Sequence, residues 1–591
     1  MDRAIPPEGG RDYLEDHPFD VVTYPLPDEV LVEDLRIPMR DGISLGATIY
    51  RPAAGPPVPV ITTATPYGKD RYDQTNYFRD APEGSVPGGG GFYLGRVMFS
   101  DHTPFEAPDP GYWVPNGYAV VIVDLPGWGK SESNPAGTPG PEARWHDVMA
   151  WLGEQSWCTG DVGMSGVSAL CATQWIAAKE PAPQQLRAIV AWEGINESGP
   201  GGGYGGIPEL AFTEWMETDW LSPNVNPDSA GPEPYIVDWK FDTSAITVPA
   251  LVCASFSDQE LHAWDTFDAF TRIRSPHKWL YNHRRQKWGA YYGRDEVALQ
   301  KQFLDRFLKG RTQAMDGVPR VRLEVNTDRF TYKVVQTNDW PVEGTRYRQL
   351  FLSAEEAALQ PDPPARHSTV TFAPEPAGDH ANRAMFDYRF TEDTDVVGHM
   401  ALTVFLEGEQ TDDVDVFAAV TKLDSDGNEV YFFSASGGNA NGPVSRGWLR
   451  ASKRTLDTER STPWRPVLDP SADRERLTTV SAPRSARRRI RPDASRSSST
   501  APRRPSNVVT TGVPRATASR FIVPPAETTR SASPIRLWAS TARSGTISDG
   551  SASARTYSRC SSVRGRTTAW TPSWLPRWAS TCGNSGFERR W

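Results

Sequence analysis

DVGMSGVSALCATQWIAAK, residues 161 to 179, decides how the first 310 residues are read. It opens with a short apolar run, passes through Gly166-Val167-Ser168, and continues into an Ala-rich half carrying Trp175 and Ile176. The pattern predicts a strand, a sharp turn and a helix. A serine on such a turn projects its hydroxyl from the carboxyl edge of a sheet, with the following backbone N–H groups aimed at whatever it attacks. Ser168 is therefore the candidate nucleophile. A bare G-x-S tripeptide is weak by itself, so the order of the surrounding elements has to carry the case.

Upstream, Glu29 to Arg40 and Ile43 to Tyr50 read as strands joined at Asp41-Gly42, a strong hairpin signal between alternating runs. Val58 to Ala64 and Tyr118 to Asp124 are apolar without alternation, as strands buried on both faces are. The segment from Asp70 to Asn116, rich in Gly and aromatics, has no readable pattern. Gly129-Lys130-Ser131 invites a phosphate-loop reading, but the glycine required five positions before Gly129 is Asp124. Trp145, Val148, Met149 and Leu152 mark one helix face.

Downstream, Leu186 to Trp192 is another buried strand. Residues 193–248 break the alternation with a glycine run, a short helical pattern at Phe212, Trp215 and Met216, and Pro-rich sequence; an insertion here would cap the carboxyl edge of the sheet. Alternation resumes with a strand Ala250 to Phe256, a helix Trp264 to Ile273, a strand Trp279 to Tyr281 and a helix Asp295 to Leu308. Alternating buried strands and amphipathic helices mean a mainly parallel sheet covered on both sides, spanning 29–192 and 249–310. From 318 to 470, alternating runs such as Leu402-Val404-Leu406, and Asp426-Gly427 before another apolar run, predict a jelly-roll β-sandwich.

Composition narrows the class. The N-terminus shows no basic stretch followed by an apolar run, and no segment approaches the roughly 18 apolar residues of a membrane span. Five cysteines at irregular spacing give neither a disulfide framework nor a CxxC metal pattern. A soluble, cytoplasmic protein with no membrane partner is expected, and Cys171 and Cys253 read as buried core thiols. The net charge of −10 hides an asymmetry: from Ser471 onward stand 22 Arg, no Lys and six acids, a net +16, which leaves the first 470 residues at −26.

A serine hydroxyl needs a base, and the base a carboxylate to fix its tautomer. In an open parallel sheet the reactive groups collect outside the carboxyl ends of the strands. In the order serine, acid, histidine, the first acid after Ala250 to Phe256 is Asp258. His283 stands at the carboxyl end of the next strand and is the expected base; His277 enters from the opposite edge, His262 in the Asp258 loop is second choice, and His146 precedes the serine. The backbone N–H of Ala169 and the hydroxyl of Tyr67, on the loop after an earlier strand, are the expected oxyanion donors.

Together, GDVGMSGVSALCATQW, ATPYGKD, RIPMRDGISLGATIYRP, ASFSDQELH and SRGWLRASKRTLD resemble the CocE/NonD hydrolase family, the group of cocaine esterase and X-Pro dipeptidyl-peptidase. The likeness runs from about Leu35 to about Pro470. It implies an α/β-hydrolase fold with a helical cap insertion and a C-terminal jelly roll, and by motif match it supports Ser168 as nucleophile, Asp258 as acid and Tyr67 as oxyanion donor. Two departures stand out. NHRRQKW lacks the family's histidine after a Gly-Pro-Trp turn, and Cys171 stands where relatives commonly carry glycine three residues after the serine.

The expected function is a serine acyl hydrolase that needs no metal or cofactor and acts on a small ester, an amide or a short peptide, with no nucleic-acid partner and a homo-oligomer allowed. For a dipeptidyl-peptidase an acid must hold the substrate α-ammonium, and Glu193 or Glu197 are candidates. The rival reading is a non-catalytic binding protein that uses its β-domain. After Pro470 alternation disappears, and the Arg/Ser-rich residues 471–591 are read as a frameshifted or disordered tail. A sandwich lacking its last strands would expose unpaired edges and lower solubility.

Overall fold

The computed structural model describes residues 9–11, 19–73, 78, 94–134, 140–196, 204–208, 214, 218, 221–232, 241–259, 261–366, 369–370, 383–406, 413–434, 439–469, 471–472, 518–523 and 535–542. Its strands run β1 (Gly9–Arg11), β2 (Phe19–Tyr24), β3 (Val30–Pro38), β4 (Ser44–Pro52), β5 (Val58–Thr65), β6 (Gly95–Ser100), β7 (Ala119–Asp124), β8 (Cys158–Val167), β9 (Leu186–Trp192), β10 (Ala250–Ser255), β11 (Lys278–His283), β12 (Val321–Asn326) and β13 (Thr331–Thr337). The helices among them are α1 (Pro110–Trp113), α2 (Pro141–Gly153), α3 (Ala169–Ala178), α4 (Ala263–Arg272), α5 (Lys287–Tyr291) and α6 (Arg294–Leu308).

One eleven-stranded sheet has the order β1-β13-β12-β11-β10-β9-β8-β5-β7-β4-β3. From β7 to β12 every pairing is parallel, and the outer pairs β3–β4, β4–β7, β12–β13 and β1–β13 are antiparallel. All six residues of β7 and of β10 are buried, as expected of central strands covered on both faces. The Asp41-Gly42 hairpin is present: Gly42 has φ +89°, and Met39 N–H donates to Ile43 O at 2.9 Å.

The Gly129-Lys130-Ser131 turn is structural. Ser131 Oγ donates to Asp124 O at 2.6 Å, and the backbone N–H groups of Lys69 and Lys130 donate to the Asp124 carboxylate at 2.7 and 2.8 Å. A Cβ on Gly129 would sit 2.2 Å from Asp124 Oδ2, so that position takes glycine. In the stretch without a readable pattern, β6 pairs in parallel with β2.

Beyond β13 come β14 (Arg346–Ser353), β15 (Ala358–Gln360), β16 (Ala384–Tyr388), β17 (Ala401–Thr403), β18 (Asp415–Leu423), β19 (Glu429–Val430), β20 (Phe432–Ser434), β21 (Asn439–Gly442), β22 (Ser445–Arg450), β23 (Ala518–Val523) and β24 (Ile535–Ala542). They form a nine-stranded sheet, β17-β23-β14-β15-β16-β24-β18-β19 with β22 also paired to β18, and a β20–β21 hairpin. Leu350, Leu359, Phe386, Phe390 and Val420 make a core of their own. The tail was expected to supply no strands; here β23 lies between β14 and β17, and β24 between β16 and β18. The segments are Ala-Ser-Arg-Phe-Ile-Val and Ile-Arg-Leu-Trp-Ala-Ser-Thr-Ala, neither of which alternates strictly between apolar and polar residues. The helical pattern at Phe212, Trp215 and Met216 lies outside the described residues.

The β-domain is tied to α4. Phe267 stacks on Trp340 with centroids 4.4 Å apart, Gln259 Nε2 donates to Val444 O at 2.8 Å, and the buried Asp268 carboxylate meets Arg460, Arg465 and Arg272.

Candidate active site

Strand β8 ends at Val167 and α3 begins at Ala169, leaving Ser168 alone on the turn with φ 58° and ψ −114°. A non-glycine residue holds such a left-handed conformation only where its surroundings over-determine it. Here Ser168 N–H donates to Trp192 O at 3.0 Å, and Ser168 O accepts from Cys171 N–H and Ala172 N–H at 3.0 and 3.1 Å. The turn is closed by crowding: a Cβ on Gly166 would lie 2.7 Å from Leu170 Cβ and 3.0 Å from Thr63 Oγ1. Ala169 and Leu170 open the helix, so their N–H groups have no carbonyl to bond within it.

Ser168 Oγ is 2.9 Å from His262 Nε2, and His262 Nδ1 is 2.6 Å from Asp258 Oδ2. All three side chains are buried. Asp258 follows the end of β10, and His262 caps the start of α4, four residues on. Ala263 N–H to Asp258 O at 2.9 Å and Thr266 N–H to His262 O at 3.0 Å fold the loop into the helix. Burial pushes the Asp258 carboxyl up, but the adjacent His262 and Lys287 outweigh it and hold the group below the ordinary aspartate range.

The expected base, His283, is not at Ser168. It is the last residue of β11 and packs on the face of the sheet, its ring stacked on Trp192 with centroids 6.1 Å apart and 21° between planes. Its Nε2 is 2.7 Å from Glu193 Oε1, and its Nδ1 accepts the Arg285 backbone N–H at 3.3 Å. Both histidines stand at carboxyl ends of strands, so strand order alone did not separate them. What separates them is that a residue in register within a strand turns to a sheet face, whereas one in the following loop is free to reach over the edge. A further signal was available in Asp-x-x-x-His spacing at a helix start, which brings i and i+4 together.

His277 packs beside Phe307 at 5.7 Å, and His146 Nε2 is 3.0 Å from Pro181 O. Tyr67 is buried on the turn after β5, the neighbour of β8, edge-on to Phe105 at 5.3 Å. Glu197 lies outside the described residues. Glu193 is fully buried against His283.

Three of the four non-glycine residues with positive φ among those described surround the elbow: Glu106 (64°), Ser168 and Glu193 (47°). Glu106 O accepts Val167 N–H at 3.1 Å, and its Oε1 is met by Trp288 Nε1 at 2.9 Å and Lys287 Nζ at 3.2 Å. Burial pushes the Glu106 carboxyl up against the pull of Lys287. These buried charges had no sequence signal beyond Glu193 standing at the end of a strand.

Cys171 has its room from Gly194: a Cβ there would lie 2.4 Å from Cys171 Sγ. One oxygen of Glu193, one of Asp258 and a ring nitrogen of His262 lie within 4.8 Å of one another. Both His262 nitrogens and one oxygen of each acid are already engaged with each other, Ser168 or His283, an arrangement suited to moving a proton.

The sheet, the elbow and this buried trio define the α/β-hydrolase class. Two family models match, X-Pro dipeptidyl-peptidase (S15 family) over residues 41–238 and the X-Pro dipeptidyl-peptidase C-terminal non-catalytic domain over 313–495. Cocaine esterase from Rhodococcus sp. (strain MB1 Bresler) is 27% identical over 402 residues, 56% of this chain and 63% of the esterase, so the match spans less than two thirds of that relative. A CocE/NonD family hydrolase from Staphylococcus aureus superposes with TM-score 0.67 at 29% identity, covering 86% of each chain. An α-amino acid ester hydrolase shares the fold, with TM-score 0.55 at 15% identity over 89% of this chain and 91% of its own. Together these matches support a CocE/NonD family serine hydrolase. No helix among the described residues is long and apolar enough to cross a membrane.

Proposed function

We propose that the protein is a serine acyl hydrolase acting on small carboxylic esters, with Ser168 as nucleophile, His262 as base and Asp258 as the acid that orients it. The observation that carries this reading is the continuous hydrogen-bonded line from Ser168 Oγ through His262 to Asp258. His262 Nε2 takes the proton as Ser168 Oγ attacks the carbonyl carbon, and Asp258 holds Nδ1–H and balances the charge of the ring. The Ala169 N–H and the Tyr67 O–H receive the oxyanion. His262 then gives its proton to the leaving alkoxide, and water, deprotonated by the same ring, releases the acid from the acyl-enzyme.

Ester is favoured over dipeptide substrate by the fate of the nearby acids. Glu193 is fully buried and bonded to His283, and Glu106 is bonded to Lys287 and Trp288, so neither is open to a substrate ammonium. A fluorophosphonate should label the wild type and fail to label Ser168→Ala and His262→Ala, and p-nitrophenyl esters should be hydrolysed faster than Xaa-Pro-anilides. Labelling that persists in Ser168→Ala would refute the mechanism. Unlabelled but folded wild type would favour a binding role.

A further inference from the structure

A second acid–histidine pair lies behind the first. Glu193 follows β9, directly after Trp192, whose carbonyl holds Ser168 N–H. Its φ of 47° is held by its own N–H donating to Cys253 O at 2.8 Å. Its side chain is fully buried, with Oε1 on His283 Nε2 and Oε2 without a hydrogen-bond partner among the described residues.

The protonation of the pair follows from its bonds. The Arg285 backbone N–H donates to His283 Nδ1, so that nitrogen carries a lone pair. The ring's proton is then on Nε2 and is donated to Glu193 Oε1, which leaves His283 neutral and the glutamate as the charged partner. A buried charge needs compensation, and a neutral imidazole supplies a hydrogen bond but no opposite charge.

The nearest group able to become a cation in the reaction is His262. A Glu193 oxygen, an Asp258 oxygen and a His262 nitrogen lie within 4.8 Å of one another. The other charged groups around this ring are Glu106, paired with Lys287 on the α5 side, and Asp265 one turn along α4, which accepts Asn196 N–H at 2.9 Å. Glu106 and Lys287 compensate each other, whereas among the described residues Glu193 is paired only with His283.

We infer that Glu193, held by His283, is a positioning residue whose carboxylate stabilises the His262 imidazolium formed when Ser168 gives up its proton. His262 is thus flanked by two carboxylates, Asp258 bonded at Nδ1 and Glu193 alongside. The inference rests on the proposed roles of Ser168 and His262. It also gives His283 a function at one remove from the substrate.

The test is the pH profile of ester hydrolysis by Glu193→Gln, whose amide oxygen still accepts the His283 proton. Without the nearby negative charge the protonated ring is less favoured, so the acid limb of kcat/KM should move to lower pH by about one unit. Coulomb's law at 4.8 Å, with an effective dielectric of ~20, gives roughly 2.5 units, which solvent and the neighbouring charges reduce. The same variant should lose about tenfold in kcat with KM little changed. An active Glu193→Gln enzyme whose acid limb overlies the wild type overturns the inference, whatever its kcat.

Should that variant fold poorly, histidine nitrogen NMR of the wild type decides. His283 is expected to show the nitrogen shifts of the Nε2–H tautomer at the pH of the assay, with Nδ1 unprotonated and accepting from Arg285 N–H. A protonated His283 Nδ1 overturns the inference. Failure of the underlying mechanism would show separately, as labelling retained in Ser168→Ala.

Discussion

Asp268 offers a direct test of whether the β-domain supports catalysis through α4. Its carboxylate is 2% exposed and is met by Arg465, by Arg460 Nη2 at 3.3 Å and, within the helix, by Arg272 Nη1 at 3.6 Å. Asp268→Ala leaves these guanidinium groups without their shared acid. Removing one partner of a buried ion pair costs about 3–5 kcal/mol. The arginine side chains are 14–26% exposed, so water recovers part of that, and about 2 kcal/mol is expected. In urea this should lower the first unfolding midpoint by roughly 1 M.

Because α4 begins at His262, looser anchoring should also lower kcat severalfold, while Arg465→Ala, which leaves Asp268 two arginines, should cost less on both counts. The assays are urea unfolding followed by tryptophan fluorescence, and p-nitrophenyl ester turnover. Asp268→Ala within 0.5 kcal/mol of wild type, or unfolding at an unchanged midpoint, would refute the reasoning.

Two other outcomes are expected. His399 packs between Trp264 and Trp340, and burial lowers its pKa from 6.5 to about 4. The unfolded chain therefore binds the extra proton first: stability is fully present above about pH 6.5 and falls as pH drops toward 4, by about 3 kcal/mol, a slope that pH-dependent melts of His399→Gln should lack. At the elbow, Gly194→Ala puts a methyl 2.4 Å from Cys171 Sγ and should destabilise by about 1–3 kcal/mol; adding Cys171→Gly should recover part of the loss, and strict additivity in a double-mutant cycle would refute the contact.

The central strands were legible because burial on both faces leaves continuous apolar runs, as in Ala119–Asp124 and Ala250–Ser255. The elbow was legible because glycine at 166 and serine at 168 sit between a strand pattern and a helix pattern. Long-range contacts decide the rest. His262 and His283 differ in whether a loop or a strand carries them, and β11 runs to His283, two residues beyond the expected end. The small strands β6, β23 and β24 owe their existence to distant partners, β2 for the first and the β-domain for the others, and no local run announces such pairing. The charges of Glu106 and Lys287 were invisible because a buried ion pair reads, in sequence, like two surface residues.

The packing of Cys171 against Gly194 has a use in measurement. Cys171 is fully buried three residues after Ser168, and burial raises its thiol well above the ordinary cysteine range, so in the closed state it should be inert to alkylation. Cys253, next to Glu193 N–H, is buried and raised in the same way. Both thiols lie in the wall behind the nucleophile. Their modification rates would therefore clock the opening of that wall, giving native-state access to how often the elbow breathes without any added label.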